Sequence, residues 1–342
     1  DFDPDKQRLN SVQTCFNGRW GEEIETDQFG GQIMMHHLLD HAKIEFIEVN
    51  HMGQAFQLGR YPLHFHLDGD APTSYIRGCS IHHTFNRAVT MHGTHNLTVE
   101  HNVAYDIMGH AYFLEDGIEE HNVIQYNLAM NVRPSSSLLT TDQTATGFWI
   151  TNPNNFIRHN HAAANEFFGF WLNPEPNPTG PSFRSDYCPN AQLVAEFHNN
   201  TAHDVGVYGF WVFSRNGYFP MKDGLCEQFQ EEPDSNLVTP DQRPTFTDFT
   251  TWNNFRGMEF TGGRSMHATR FIGANNRISQ MACESLSGDF SREIGVQFSD
   301  SILIGYSNDD QQFRRSTRDG ASSFLLETPW KKGTFYFDDM AF

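Results

Sequence analysis

The chain has 342 residues, 38% of them hydrophobic, with a net charge of −19, 18 histidines and five cysteines. That charge argues against a nucleic-acid partner, and mildly against a polyanionic ligand unless basic residues gather locally; below about pH 6 the histidines would offset part of it. No apolar run is long enough to span a membrane, and no secretory leader opens the chain, which begins at Asp1; a processed piece of something larger is expected.

Residues 1–35 carry little pattern apart from Phe29-Gly-Gly-Gln-Ile-Met-Met35. Lys43-Ile-Glu-Phe-Ile-Glu-Val49 alternates charged with apolar residues, as a half-exposed strand does. After His51-Met-Gly53 a repeat begins. Ile81–Gly93 lies over Ala104–Asp116, so His92 falls over Glu115, 23 residues on. Gly147-Phe-Trp-Ile-Thr151, Gly169-Phe-Trp-Leu-Asn173, Gly209-Phe-Trp-Val-Phe213 and Gly257-Met-Glu-Phe-Thr261 repeat the same short strand across longer gaps. Such a period, built from short strands and Asn/Gly turns, is the mark of a coil stacked on itself. The fold class read here is all-β, a right-handed parallel β-helix, its hand taken from parallel crossovers in general.

Length alone would admit two or three domains, but the repeat covers most of the chain and no Pro/Ser-rich linker divides it. One domain over 1–342 is expected, with inserted loops at about 132–145, 174–194 and 214–243 and room for roughly a dozen rungs. The polar, Pro-rich inserts should wall one side of the coil, where repeat proteins carry binding function.

Within each copy the first and third residues are apolar, as in Leu63-His-Phe-His66, Val89-Thr-Met-His92 and Tyr112-Phe-Leu-Glu115. A period of two sends them inward and their neighbours outward. One outward column then reads His64, Thr90, Phe113, Trp149, Trp171, Trp211, and the next reads His66, His92, Glu115, Thr151, Asn173. A second strand per repeat, for example Glu100–Asp106, stacks Asn102, Asn127, Asn160 and Asn200 into a ladder at a corner.

His66, His92 and Glu115 on neighbouring rungs, flanked by His64, Asp68 and Asp116, suit two chemistries. As ligands, His64, His66, His92 and Glu115 would hold a divalent cation with positions left for water or substrate. Without metal, His66, His92, Glu115 and Asp116 would form an acid/base set for glycosidic cleavage. The alternative is an outward ladder of histidines bonded to one another and to the turns. Phe113, Trp149, Trp171 and Trp211 form an exposed aromatic strip suited to stacking sugars, unless loops or a second subunit lie over it. Arg60, Arg77 and Arg87 would attract a uronate, unless paired with acids; Arg87 is the one assigned to substrate. A lyase ranks last, since no Lys or Arg is placed as its base.

Cys188 and Cys226 both lie in inserts, where a disulfide would close a long loop, and Cys79 sits in a regular strand as a buried thiol. Asn96-Leu-Thr98 and Asn199-Asn-Thr201 are glycosylation sequons. Together these point to an extracellular or cell-surface location.

Phe29–Met34, His51-Met-Gly53, Gly59-Arg-Tyr-Pro-Leu-His-Phe-His66, Ser80-Ile-His-His-Thr-Phe85, Val89-Thr-Met-His-Gly93, Glu115-Asp-Gly117 and Phe148-Trp-Ile-Thr-Asn-Pro-Asn-Asn155 occur in that order. In them the chain resembles the β-helix region shared by the cell-surface hyaluronidases, the cell-migration-inducing hyaluronan-binding protein and fibrocystin-L. The match is dense over 29–213 and thin afterwards. The G8 domain of that family is absent from this chain, and the loop after Asp70 is shorter than in the hyaluronidases; Asn160-His-Ala-Ala-Ala164 and Gly180-Pro-Ser-Phe183 resemble fibrocystin-L. The resemblance implies polysaccharide binding, hyaluronan first, with hyaluronidase-like hydrolysis. The rival expectation is a non-catalytic module of a fibrocystin-L-like surface protein or extracellular filament, partnered by other parts of its parent chain.

Overall fold

Three parallel β-sheets wind round one core in a computed structural model, which describes residues 28–37, 39–135, 140–218, 220, 242–263, 266–284, 296–305, 324–327 and 335–342. Each turn of the chain lays one strand on each sheet in succession. The first sheet runs from Ile33–His36 through Leu63–Asp70, Val89–His95, Tyr112–Leu114, Thr146–Ile150, Phe168–Leu172 and Tyr208–Tyr218 to Phe324–Glu327. Among the described residues the three sheets hold ten, ten and nine strands. The chain is a parallel β-helix, and about ten turns are seen where roughly a dozen were expected.

The register is the one that the repeat implies. Leu63, Val89, Tyr112, Phe148, Phe170 and Phe210 pair in sequence along the first sheet and are all buried in the core. Their rings stack, Tyr112 on Phe148 at 4.9 Å and Phe148 on Phe170 at 4.6 Å. Stacked aromatics add about 0.5–1.5 kcal/mol per pair beyond the area they bury, so the column resists a slip of register. The glycine that opens each Gly-Phe-Trp copy is a steric requirement: a Cβ on Gly169 would come within 2.5 Å of the Gly209 carbonyl oxygen.

The expected second strand is in fact two. It breaks at a residue with positive φ, His101, Tyr126, His159 or Asn199, and the following asparagine turns the corner between the second and third sheets. Asn102 donates its backbone N–H and its side-chain amide to Asn127 Oδ1, both at 3.0 Å. Asn127 does the same to Asn160 at 3.1 Å, and Asn160 to Asn200 at 3.0 and 3.2 Å. A buried amide left unpaired costs about 1–3 kcal/mol, so the ladder holds every corner to the same shape.

The inserts differ in extent from those expected. Strand Leu128–Arg133 continues into the first, a 3-10 turn at Thr140–Thr144 lies near its end, and Tyr208–Tyr218 runs on past residue 214. Among the described residues no helix is long and apolar enough to cross a membrane. Cys79 and Cys283 are buried and in no disulfide, and Cys188 is disulfide-bonded; Cys226 lies outside the described residues.

Candidate functional site

The centre forms on the outward face of the first sheet, where strand alternation turns His64 and His66 out while Leu63 and Phe65 fill the core. His36, His66 and His92 pair rung to rung, and Glu115 follows, its N–H donating to the Met91 carbonyl at 3.0 Å. Just beyond His66 the register shifts: His66 pairs with His92 but Gly69 pairs with Thr94, one extra residue in the first strand. Leu67 takes φ 57° in this bulge. A branched apolar residue is rarely found there, and bulges commonly re-aim a side chain beside a site; the residue re-aimed here is Asp68.

The rings of His64 and His92 lie parallel, 6.0 Å apart. His66 stands across both at 5.0 and 4.9 Å. Each of the three offers a nitrogen within 4.8 Å of the other two. Glu115 Oε2 lies 3.6 Å from His92 Nδ1 and 3.9 Å from His64 Nε2.

The hydrogen bonds fix two tautomers. His64 Nδ1 lies 3.0 Å from the Gly59 carbonyl, so it carries the proton and donates, leaving Nε2 as a lone pair. His92 Nε2 lies 2.7 Å from Asp116 Oδ2 and donates to that carboxylate, which turns Nδ1 toward Glu115. Carbonyl and carboxylate partners of this kind orient metal-ligating imidazoles. Burial lowers the pKa of His64 to about 3, so its lone pair stays free. Burial, together with the charge of His92 and His36, also lowers His66. For His92 burial works downward, but the Asp116 hydrogen bond and the charge of Glu115 outweigh it and the net shift is upward. Burial raises both Glu115, against the pull of Arg87, and Asp68.

Several of these polar atoms are buried with no hydrogen-bond partner: His64 Nε2, His66 Nδ1, Glu115 Oε2 and both carboxylate oxygens of Asp68. Unpaired buried acceptors are costly, and a cation would satisfy those of the three ligands together. Nitrogen donors with one carboxylate suit zinc or a similar first-row ion. Metal–nitrogen bonds of about 2.1 Å in a tetrahedron place donors about 3.4 Å apart, so small side-chain rotations would close the set.

A buried network stands behind Glu115. Arg87 donates to both oxygens of Asp142 at 3.0 and 2.8 Å and to the Tyr61 hydroxyl at 2.9 Å, with its guanidinium 3.8 Å above the Phe113 ring. Tyr61 in turn donates to Glu115 Oε1 at 3.4 Å. Arg87 is therefore fully buried and bound to an acid from the first insert, where the sequence reading put it on a substrate. Glu119 fixes the turn that carries Asp116, accepting the N–H groups of Gly93, Asp116 and Gly117 at 2.8, 3.0 and 2.7 Å.

The aromatic row is in register as expected, Phe113 to Trp149 to Trp171 to Trp211. It is not an exposed strip. Phe113, Trp149 and Trp171 are buried in a second apolar cluster with Phe168, flanked by Phe167, Tyr208, Trp211 and Phe213. The long strand Tyr208–Tyr218 brings part of this cover: Trp171 Nε1 donates to the Phe213 carbonyl at 3.1 Å, and Trp211 stacks on Phe213 at 4.6 Å.

The family description CEMIP beta-helix matches residues 28–210. The chain belongs to the CEMIP beta-helix family. Human fibrocystin-L is 47% identical over 272 residues, 78% of this chain and 6% of that protein. Human cell surface hyaluronidase CEMIP2 is 28% identical, covering 89% of this chain and 26% of its own length. The mouse cell migration-inducing and hyaluronan-binding protein is 36% identical, over 68% of this chain and 20% of its own. The chain thus spans a small part of each relative.

Further polar and charged residues of this CEMIP-family chain lie away from the centre. His83 and Asp106 approach to 3.7 Å on the third sheet, where Arg133 also holds Asp106, and Arg77 pairs with Glu45 on the second sheet. Asn96 donates to Asp70, and Asn199 sits exposed at a corner beside His159. Sequence reasoning missed His36, Tyr61, Glu119 and Asp142. Aligning Ile33-Met-Met-His36 under Leu63-His-Phe-His66 would have found the first; Asp142 lies in an insert without repeat signal, and nothing in the sequence marks its partner.

Proposed function

We propose that this β-helix binds an extracellular polysaccharide at a cation site made by His64, His66, His92 and Glu115, and hydrolyses it there in the manner of a hyaluronidase. The observation that carries the reading is the convergence of buried, unpartnered atoms of His64, His66 and Glu115, from two rungs, beside His92 on one outward face. Relatives named as a hyaluronidase and as a hyaluronan-binding protein support a sugar polymer as its ligand. When bound, the cation would polarise a water or sugar oxygen. The chain's own groups do the rest. Asp116 orients His92, Tyr61 and the Arg87 charge hold Glu115 in place, and Asp68, with both oxygens unpartnered, offers a carboxyl for proton transfer at the glycosidic oxygen.

The test is the size distribution of labelled hyaluronan incubated with the chain at pH 5 and pH 7.5, with and without divalent ions, beside elemental analysis of protein prepared without chelator. Shortening that is lost in Glu115→Ala and His92→Ala while both variants stay folded is expected. Full activity in both variants would remove the site assignment, and full activity of metal-free protein would remove the cation.

A second reading rests on the covered aromatics and on the 47% identity to fibrocystin-L. In it the coil is a rigid, non-catalytic module of a surface protein or filament, and the outward tryptophans thicken the rod. Intact hyaluronan under every condition above favours this reading.

A further inference from the structure

A second feature adjoins the centre. The residues that follow His66 and His92, Leu67 and Gly93, form the floor of a cleft of about 300 Å³ together with Gly69, at the small end of ligand sites, about 300–1,000 Å³. Its wall is apolar, made by Ile118 and Pro181 with Phe183, which is 63% exposed. A Cβ on Gly69 would meet nothing within 4 Å, so the floor is open where a side chain would fill it. The far wall belongs to the insert after Asn173, and that insert is tied to the centre: Thr179 N–H donates to the Asp116 carbonyl at 2.8 Å, and a Cβ on Gly180 would lie 2.9 Å from Asp116 Oδ1. A polymer crossing the centre along the strands therefore enters this cleft with its neighbouring unit.

The polar rim decides what that unit is. His95 Nδ1 accepts the Glu120 N–H at 3.2 Å, so its proton sits on Nε2, a neutral donor suited to a hydroxyl or amide oxygen. Burial lowers the pKa of that ring, against the pull of Glu120 and Asp70. Asp70 and Glu120 put acid charge beside His95. The cation on its wall, Arg184, is already bidentate with Asp186 at 3.0 and 2.9 Å. An incoming carboxylate would meet the two acids beside His95 and an Arg184–Asp186 pair whose charges cancel, whereas an uncharged ring meets an aromatic face, an apolar wall and a hydrogen-bond donor.

Resting on the polysaccharide reading above, we propose that the cleft between Leu67, Gly93, Ile118 and Phe183 is a subsite for an uncharged sugar ring, such as an N-acetylhexosamine, and rejects a uronate. Phe183 stacks on the ring and the apolar wall takes the acetyl methyl. The acids make the selection.

The experiment is calorimetric titration of the full chain with chitotetraose, which is neutral and N-acetylated, with tetragalacturonate, and with hyaluronan fragments, repeated on Phe183→Ala. Phe183 is exposed, so the variant should fold. Chitotetraose is expected to bind at least tenfold tighter than tetragalacturonate, and Phe183→Ala to weaken it about tenfold. Hyaluronan binding with equal or stronger binding of tetragalacturonate, with no chitotetraose binding, or with no effect of Phe183→Ala would overturn the subsite while leaving the polysaccharide reading intact. No binding of any of the three would overturn both.

Discussion

The same face of the same sheet behaves in opposite ways at its two ends. On the early rungs the outward positions hold His64, His66, His92 and Glu115, and buried atoms of His64, His66 and Glu115 find no partners. A few rungs on, the matching positions hold Trp149 and Trp171, which are buried, and Trp211, which is partly buried and packs on Trp171. Backbone geometry is common to both, so direction within the repeat does not decide role. What lies over the strand does. Where the Tyr208–Tyr218 strand and its neighbours pack across the face, an outward ring becomes a second core; where the bulge at Leu67 and the turn at Glu115–Gly117 flank it, polar groups stay unsatisfied.

That contrast can be broken most sharply at Trp171. If the tryptophans are core, Trp171→Ala should cost about 3–5 kcal/mol in urea unfolding, with sugar affinity as a separate readout. A stable variant that has lost only carbohydrate binding would return the row to the role of a binding platform.

The boundary between the two regions carries the next effect. His110 lies between Phe113 and Trp149, facing Asp142 and Arg87, and burial lowers its pKa to about 3. The unfolded chain, with a histidine near 6.5, binds a proton between those values that the folded chain refuses. Stability is therefore complete above about pH 6.5 and falls as the pH drops toward 3, by on the order of 4 kcal/mol from this group. His110→Gln, which keeps an acceptor for the Thr146 N–H, should flatten the acid limb when unfolding is compared at pH 4 and pH 7. An unchanged limb would place the titration elsewhere.

How much of this was legible follows from the same physics. The inward column and the corner asparagines were readable because each obeys a local rule, alternation or turn preference, repeated at a fixed period. The meeting of His66, His92 and Glu115 was readable too, since stacking converts spacings of 26 and 23 residues into contact. Burial of the tryptophans was not, because Phe167, Phe168 and Tyr208, which pack against them, precede the aligned Gly-Phe-Trp copies and share no pattern with the other rungs. Arg87 was hidden differently: its partner Asp142 lies 55 residues on, in the first insert, which carries no repeat. The corner that splits the second strand was half visible, its asparagine evident and the left-handed residue before it hidden, since His101, Tyr126 and His159 are not residues that announce a turn.

The smallest expected effect tests the polar end of the comparison directly. Because the core column and the asparagine ladders hold the rungs, the centre should fold without a cation and gain from one only by mass action. At a free ion concentration a hundredfold above the dissociation constant that gain is about 2.7 kcal/mol, roughly 4 °C in melting temperature for a chain of this size. Zinc, manganese and calcium, each added to chelator-treated protein, would be compared in wild type and in His66→Ala. His66 is half-buried and its Nδ1 has no partner to lose, so the variant alone should shift stability by less than about 1 kcal/mol and should abolish the rise. An equal rise in the variant would mean that the ion binds elsewhere, and the unpartnered imidazoles would then differ from the tryptophans only in lacking a cover.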